Sequence, residues 1–115
     1  LDVLTRDHSY VQSLVDAGLL AAERAESHPD RHILARCIGG ADLGGEEVEG
    51  ETLQVAPGDR ILLCSDGLTG ELSEAWIAGI LSVYPDDQEA ADELVRSAVA
   101  AGGRDNVTVI LATVG

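Results

Sequence analysis

Gly58-Asp59-Arg60-Ile61-Leu62-Leu63-Cys64-Ser65-Asp66-Gly67-Leu68-Thr69-Gly70 is the stretch on which the fold turns. Pro57-Gly58 makes a turn, and Arg60 then opens a continuous apolar strand that runs to Cys64. Without alternation along it, the strand is expected to be central. Asp66 follows at its end, and Gly67 leaves the backbone there free to bend. A carboxylate so placed projects where loops gather. Asp-Gly is also a strong hairpin signal, but a hairpin needs a strand next, and helix-forming residues begin instead at Ser73.

Toward the C-terminus, Ser73 is placed to cap a helix with Trp76, Ile77, Ile80 and Leu81 on one face, finished near Tyr84-Pro85. A second helix is predicted from Asp87 to Ala101, with Ala90, Ala91, Leu94, Val95 and Ala98 on its apolar face. Gly102-Gly103 ends it, and Val107–Val114, rich in β-branched residues, is the last strand. Toward the N-terminus, Thr52–Val55 reads as a short strand. It lies inside a solvated stretch, Ala41–Asp59, that holds six acids and no base. His32–Ile38 is β-like. Before it come two small helices, one carrying Tyr10, Val11, Leu14 and Val15 behind a cap at Asp7 or Ser9, the other over Leu20–Ser27. Gly18 separates them. Strands and helices are thus segregated rather than alternating, which argues for an α+β fold with antiparallel pairing.

Composition narrows the function classes. The 115 residues carry 21 Asp+Glu against 7 Lys+Arg, a net charge of −14, and all the basic residues are Arg. Nucleic acid and anionic membrane need a basic footprint, so neither is an expected partner. Hydrophobic residues make up 45% of the chain, enough for a core, but aromatics only 3%, so that core must be aliphatic. Cys37 and Cys64 have neither a disulfide framework nor a metal-ligand spacing, and are expected to be buried cysteines of a cytoplasmic protein. No apolar run reaches the length of a membrane span.

A second motif, Gly102-Gly103-Arg104-Asp105-Asn106-Val107-Thr108, precedes the last strand and again puts an Asp where strand meets loop. Alone it is an ordinary helix-to-strand connection, in which Asp and Asn are common turn formers. Asp66 and Asp105 share a site if their strand ends are neighbours. Two carboxylates meeting there repel, and a divalent cation relieves the repulsion. Hard oxygen ligands suit Mg²⁺ or Mn²⁺.

Five motifs taken in order resemble a known family. They are Leu4-Thr5-Arg6-Asp7-His8-Ser9, Leu14-Val15-Asp16-Ala17-Gly18, His28-Pro29-Asp30-Arg31, the Gly58–Thr69 stretch, and Asp105-Asn106-Val107-Thr108-Val109. Together they resemble the C-terminal half of the metal-dependent serine/threonine protein phosphatases of the PP2C type (the PPM family), in particular its bacterial branch, over essentially the whole chain. The resemblance implies part of an α-β-β-α sandwich of antiparallel sheets. It implies hydrolysis of phosphoserine and phosphothreonine esters with two Mn²⁺ or Mg²⁺ ions, with Asp66 and Asp105 as metal ligands. Ser65, Gly67 and Asn106 would shape the loops around them. Residues 8–31 look like the family's flap, with His8, Ser9, His28 and Arg31 as candidate substrate contacts. His8, His28 and His32 read as surface or capping histidines rather than catalytic acids.

The family's N-terminal half should carry a phosphate-holding Arg, an early acidic motif and a second Asp-Gly whose Asp bridges the metals. None is present. The segment therefore holds no catalytic residue of its own, is expected to be inactive alone, and has the other half of its domain as its first partner, with phosphoproteins as substrates. The alternative is a non-catalytic regulatory or protein-binding module derived from the same fold.

Overall fold

The computed structural model describes residues 1–38 and 50–115. They divide into two compact units, Asp2–Thr52 and Leu53–Gly115, the latter with Leu1. Most of the acidic stretch expected to be a loop, residues 39–49, lies outside the described residues.

In the first unit, α1 spans Tyr10–Asp16 and α2 spans Ala22–Ala25. Ser9 caps α1, its Oγ accepting from Gln12 N at 3.1 Å. Gly18, at φ 72°, ends it in the left-handed conformation that favours glycine. Leu19 N donates to Leu14 O and Gly18 N to Val15 O, so both orphaned carbonyls are satisfied. The strand expected at His32–Ile38 does not form. One antiparallel bridge, Ser9 to Leu34, stands in its place. Tyr10 N donates to Ile33 O and Ala35 N to His8 O. The ladder stops there because Ser9 is a helix cap, and beyond it the backbone turns helical and offers no further strand edge. The second helix is likewise shorter than the Leu20–Ser27 expected.

In the second unit the order is β1 (Arg60–Cys64), α3 (Asp66–Thr69), α4 (Glu74–Val83), α5 (Asp87–Ala101) and β2 (Val109–Thr113). The two strands pair antiparallel, from Arg60 opposite Thr113 to Cys64 opposite Val109. Leu68, Leu72, Ile77, Ile80, Leu94 and Ala98 form the core, with Leu62, Leu81, Tyr84, Val107 and Val109 packed against it. Each fully buried Leu or Ile of this cluster stabilises by roughly 1.5–3 kcal/mol. Both long helices start at side-chain caps: Ser73 Oγ accepts from Trp76 N, and Asp86 Oδ1 from Glu89 N.

Three expectations are corrected here. Trp76 is 60% exposed, because the buried stripe of α4 is centred on Ile77 and Ile80 and the indole stands at its edge. Thr52–Val55 is not a strand among the described residues: Leu53 and Val55 are about half exposed and no neighbouring strand pairs with them. Cys37 and Cys64 are both exposed rather than buried. Cys64 ends β1 at the open end of a two-stranded sheet, and Cys37 follows the single bridge at Leu34.

Arg60 is the strut between sheet and helices. Its Nη1 donates to the carbonyls of Leu81 and Tyr84, at 2.7 and 3.0 Å, and so caps the C-terminal end of α4. Its Nε donates to Asp87 Oδ1 at 3.0 Å. Nη2 also stands 2.9 Å from that oxygen but off the hydrogen-bonding direction, so its share of the pairing is Coulombic. Thr113, opposite Arg60 in register, donates its hydroxyl to both Asp87 oxygens. The Thr113 hydroxyl above all holds the Asp87 carboxyl below its ordinary value; desolvation opposes it, and the hydrogen bond and charge of Arg60 add to the lowering.

β1 was expected to be a central strand. Leu62 and Val109 pack on the core, but on the other face Leu63 is 61% and its cross-strand partner Ile110 59% exposed. The apolar sequence of a doubly covered strand is present, and one of its faces stands open.

Candidate metal centre

Asp66 is the first residue of α3, reached directly from the end of β1 through Ser65. Ser65 stands at the N-cap of that short helix in extended geometry, yet its hydroxyl does not cap it. The hydroxyl reaches across to the other motif instead. Thr108 N donates to Ser65 Oγ at 3.0 Å, Ser65 Oγ donates to Asn106 O at 3.3 Å, and Ser65 N donates to Thr108 O at 3.0 Å. The pairing of β1 with β2 therefore continues one residue past Cys64 and Val109, and the last rung is a serine clasp between the two Asp-bearing segments.

Gly67 makes the same junction from the other side. It is fully buried, and a β-carbon there would run into the carbonyl oxygen of Asn106 and stand 2.9 Å from its carbonyl carbon. Only a residue with no side chain lets α3 lie against the 106–107 backbone. The neighbours of Asp66 (Ser65 and Gly67) thus touch the neighbour of Asp105 (Asn106). The Asp105 carboxylate turns back locally, Oδ1 accepting from Asn106 N at 2.7 Å, which sets the turn just before β2. Both aspartates are exposed.

A third link was not foreseen from the sequence. Glu71, just past the end of α3, receives Arg104 Nε at 2.8 Å and Nη2 at 3.1 Å on its two oxygens, and Arg104 N at 3.3 Å. This is the two-pronged geometry in which guanidinium and carboxylate match best. The Glu71 hydrogen bond, and then its charge, hold the Arg104 pKa above its ordinary value. Nothing local marks Glu71, since its partner is 33 residues away. The one signal in the sequence is an arginine immediately before Asp105.

Two carboxylates on clasped loops offer hard oxygen donors of the kind that suit a divalent cation such as Mg²⁺ or Mn²⁺. Among the described residues no three His, Cys, Asp or Glu side chains gather as a complete site would require.

The remaining predicted site residues lie in the other unit. His8 O accepts from Ala35 N, and Ser9 is the cap of α1. His28 organises its own turn: Nδ1 accepts from Asp30 N at 3.1 Å, and its carbonyl accepts from Arg31 Nη1 at 3.2 Å. A cleft of about 190 Å³ in this unit is lined by Arg6, His8, Ser9, Gln12, Asp16 and Arg36 among others, with Arg6 paired to Asp16.

The Stage II sporulation protein E (SpoIIE) family matches residues 19–115. The serine/threonine protein phosphatase PstP of Mycobacterium tuberculosis is 43% identical over 117 residues, covering 99% of this chain and 21% of that protein. Among solved structures, the serine/threonine phosphatase of S. agalactiae superposes with a TM-score of 0.80 at 41% identity, over 94% of this chain and 44% of that one. The catalytic domain of PstP in complex with 2 manganese ions gives a TM-score of 0.74 at 38% identity, over 96% of this chain and 44% of that one. The chain therefore spans less than half the length of each of these proteins. It belongs to the SpoIIE family, and its fold is part of the PP2C-type domain of the bacterial serine/threonine phosphatases.

Proposed function

We propose that the chain is the C-terminal half of a PP2C-type catalytic domain, and that the whole domain hydrolyses phosphoserine and phosphothreonine esters of proteins. The observation that carries this reading is the clasp itself: Ser65 and Gly67 pin the segment of Asp66 against the segment of Asp105. Two turn-forming aspartates do not need their segments pinned together, whereas a metal shell does. The proposed cofactor is a pair of Mn²⁺ or Mg²⁺ ions, as the manganese complex of PstP supports for that relative.

When bound, such ions would supply Lewis acidity toward the phosphoryl oxygens and bring the pKa of bound water down toward neutrality. In this chain Asp66 and Asp105 contribute ligand oxygens and negative charge. Ser65, Gly67 and Asn106 fix the spacing of the two loops, and no side chain here serves as a covalent nucleophile. The remaining ligands and the phosphate-holding Arg belong to the N-terminal half. The open sheet face with Leu63 and Ile110 is where that half's sheet would pack. Residues 8–31 are the proposed flap, with His8, Ser9, His28 and Arg31 toward substrate. The same reading places the protein in cytoplasmic signalling by phosphorylation. Among the described residues no helix is long and apolar enough to cross a membrane.

The test is Mn²⁺-dependent hydrolysis of a phosphothreonine peptide, by this chain and by the chain extended upstream by about its own length. Hydrolysis by the extended chain only is the expected result. Hydrolysis by neither would favour a non-catalytic module in which the two aspartates are turn residues.

A further inference from the structure

We propose that Glu71 is a positioning residue for Asp105, setting the loop of the second aspartate relative to the segment of the first by gripping Arg104. The inference rests on the metal-site reading above. Three independent features converge on this side chain. It is a carboxylate with only 6% of its side-chain surface exposed, while its partner guanidinium is 67% exposed. A charge is buried at that cost only when it is well paired. Its oxygens take both prongs of Arg104 and also that residue's backbone N–H, so it constrains main chain as well as side chain.

The third feature is Gly102. A β-carbon there would stand 2.6 Å from Glu71 Oε2 and 3.2 Å from its carboxyl carbon. The absence of a side chain at Gly102 leaves room for the Glu71 carboxylate to lie against the backbone there. Gly102 lies against the Glu71 carboxylate and Arg104 is bonded to it, and Asp105 follows directly. Glu71 is itself anchored to α3, its N–H donating to Leu68 O at 3.2 Å. The short helix that begins with Asp66 and the loop that ends in Asp105 are thereby held together at two points. Ser65 holds one side of the junction and Glu71 the other.

A group that orients a metal ligand changes metal affinity, whereas a group that only joins two loops changes stability alone. Removing such an orienting partner costs about 10- to 100-fold in metal affinity. The experiment is calorimetric titration of Mn²⁺ into the whole phosphatase polypeptide and its variants, with a thermal melt of each to show that it is folded. Glu71→Gln keeps the size of the side chain and removes its charge. Arg104→Ala removes the fork, and Arg104→Lys keeps a charge without it. Each is expected to weaken Mn²⁺ binding about tenfold or more. The Glu71→Gln/Arg104→Ala double variant should be no weaker than the worse single, because both remove one linkage.

Should Glu71→Gln fail to fold, the exposed Arg104→Lys change carries the same comparison. Mn²⁺ affinity within twofold of wild type in the folded variants, while Asp105→Ala weakens it, would overturn the role of Glu71 and leave the metal site standing. Unchanged binding in Asp105→Ala would overturn both.

Discussion

If the proposed function holds, Asp66→Asn and Asp105→Asn, introduced singly into the full-length polypeptide, are each expected to lower Mn²⁺-dependent turnover of a phosphothreonine peptide on the order of a thousandfold. Asn keeps the size of each side chain and an oxygen to offer, so the loops keep their shape and only the charged ligand is lost. A bound ion supplies several kcal/mol of transition-state charge stabilisation, and about 4 kcal/mol is a factor of a thousand in rate. Both aspartates are exposed and Asp66 lies at the very start of α3, so folding should be little disturbed. The check is a steady-state assay at saturating Mn²⁺ beside a melting curve. Loss of activity with an unchanged melt is the expected pair of results. Retained activity in either variant would return that residue to the role of a turn former.

Gly67→Ala should be the most damaging single methyl group in the C-terminal unit. The added carbon collides with the Asn106 carbonyl, and the obstacle is backbone on both sides, so no flexible side chain can step aside. Either α3 or the 105–107 loop must move by about 1 Å, a displacement that can cost on the order of 100-fold in rate when it separates catalytic groups. Overpacking of this kind also costs about 1–3 kcal/mol of stability. Gly79→Ala is the internal control. Gly79 lies within α4 with nothing inside 4 Å of a built β-carbon, so the same change there should stabilise by roughly 1 kcal/mol. Urea unfolding of both variants beside the activity assay reads both effects. Equal behaviour of the two glycines would mean that the two loops do not meet as described.

The parts of the fold that were legible in the sequence are those whose signals are local. Arg60–Cys64 announced itself as an unbroken apolar run after a Pro-Gly turn. α4 and α5 were bounded by Ser73 at the start of one and by Gly102-Gly103 at the end of the other, and their Ile and Ala faces keep the 3.6-residue period. The parts that failed depend on a neighbour. His32–Ile38 and Thr52–Val55 have strand-like composition, but strands need partners, and the described chain offers one bridge to the first and none to the second. The last strand begins at Val109 rather than Val107: opposite Thr108 the partner is Ser65, already past the end of β1, and its hydroxyl takes the Thr108 N–H in place of a backbone carbonyl.

The same division runs through the site. Asp66 and Asp105 could be picked out because each sits where a strand meets a loop, and Ser65, Gly67 and Asn106 came with them as adjacent residues. How those neighbours act was not legible. Gly67 reads as a bend in the sequence and is in space the floor on which another loop rests. Glu71 was invisible, since a single acid in a chain with 21 of them carries no mark until its partner is placed beside it.

The most direct test of the shared site is an anomalous-scattering crystal structure of the whole phosphatase grown with Mn²⁺, with data collected at the manganese absorption edge. The account predicts manganese peaks within coordination distance of both the Asp66 and the Asp105 carboxylates, with Ser65 still bridging to Thr108. Manganese bound elsewhere, with both carboxylates turned to solvent, would contradict it.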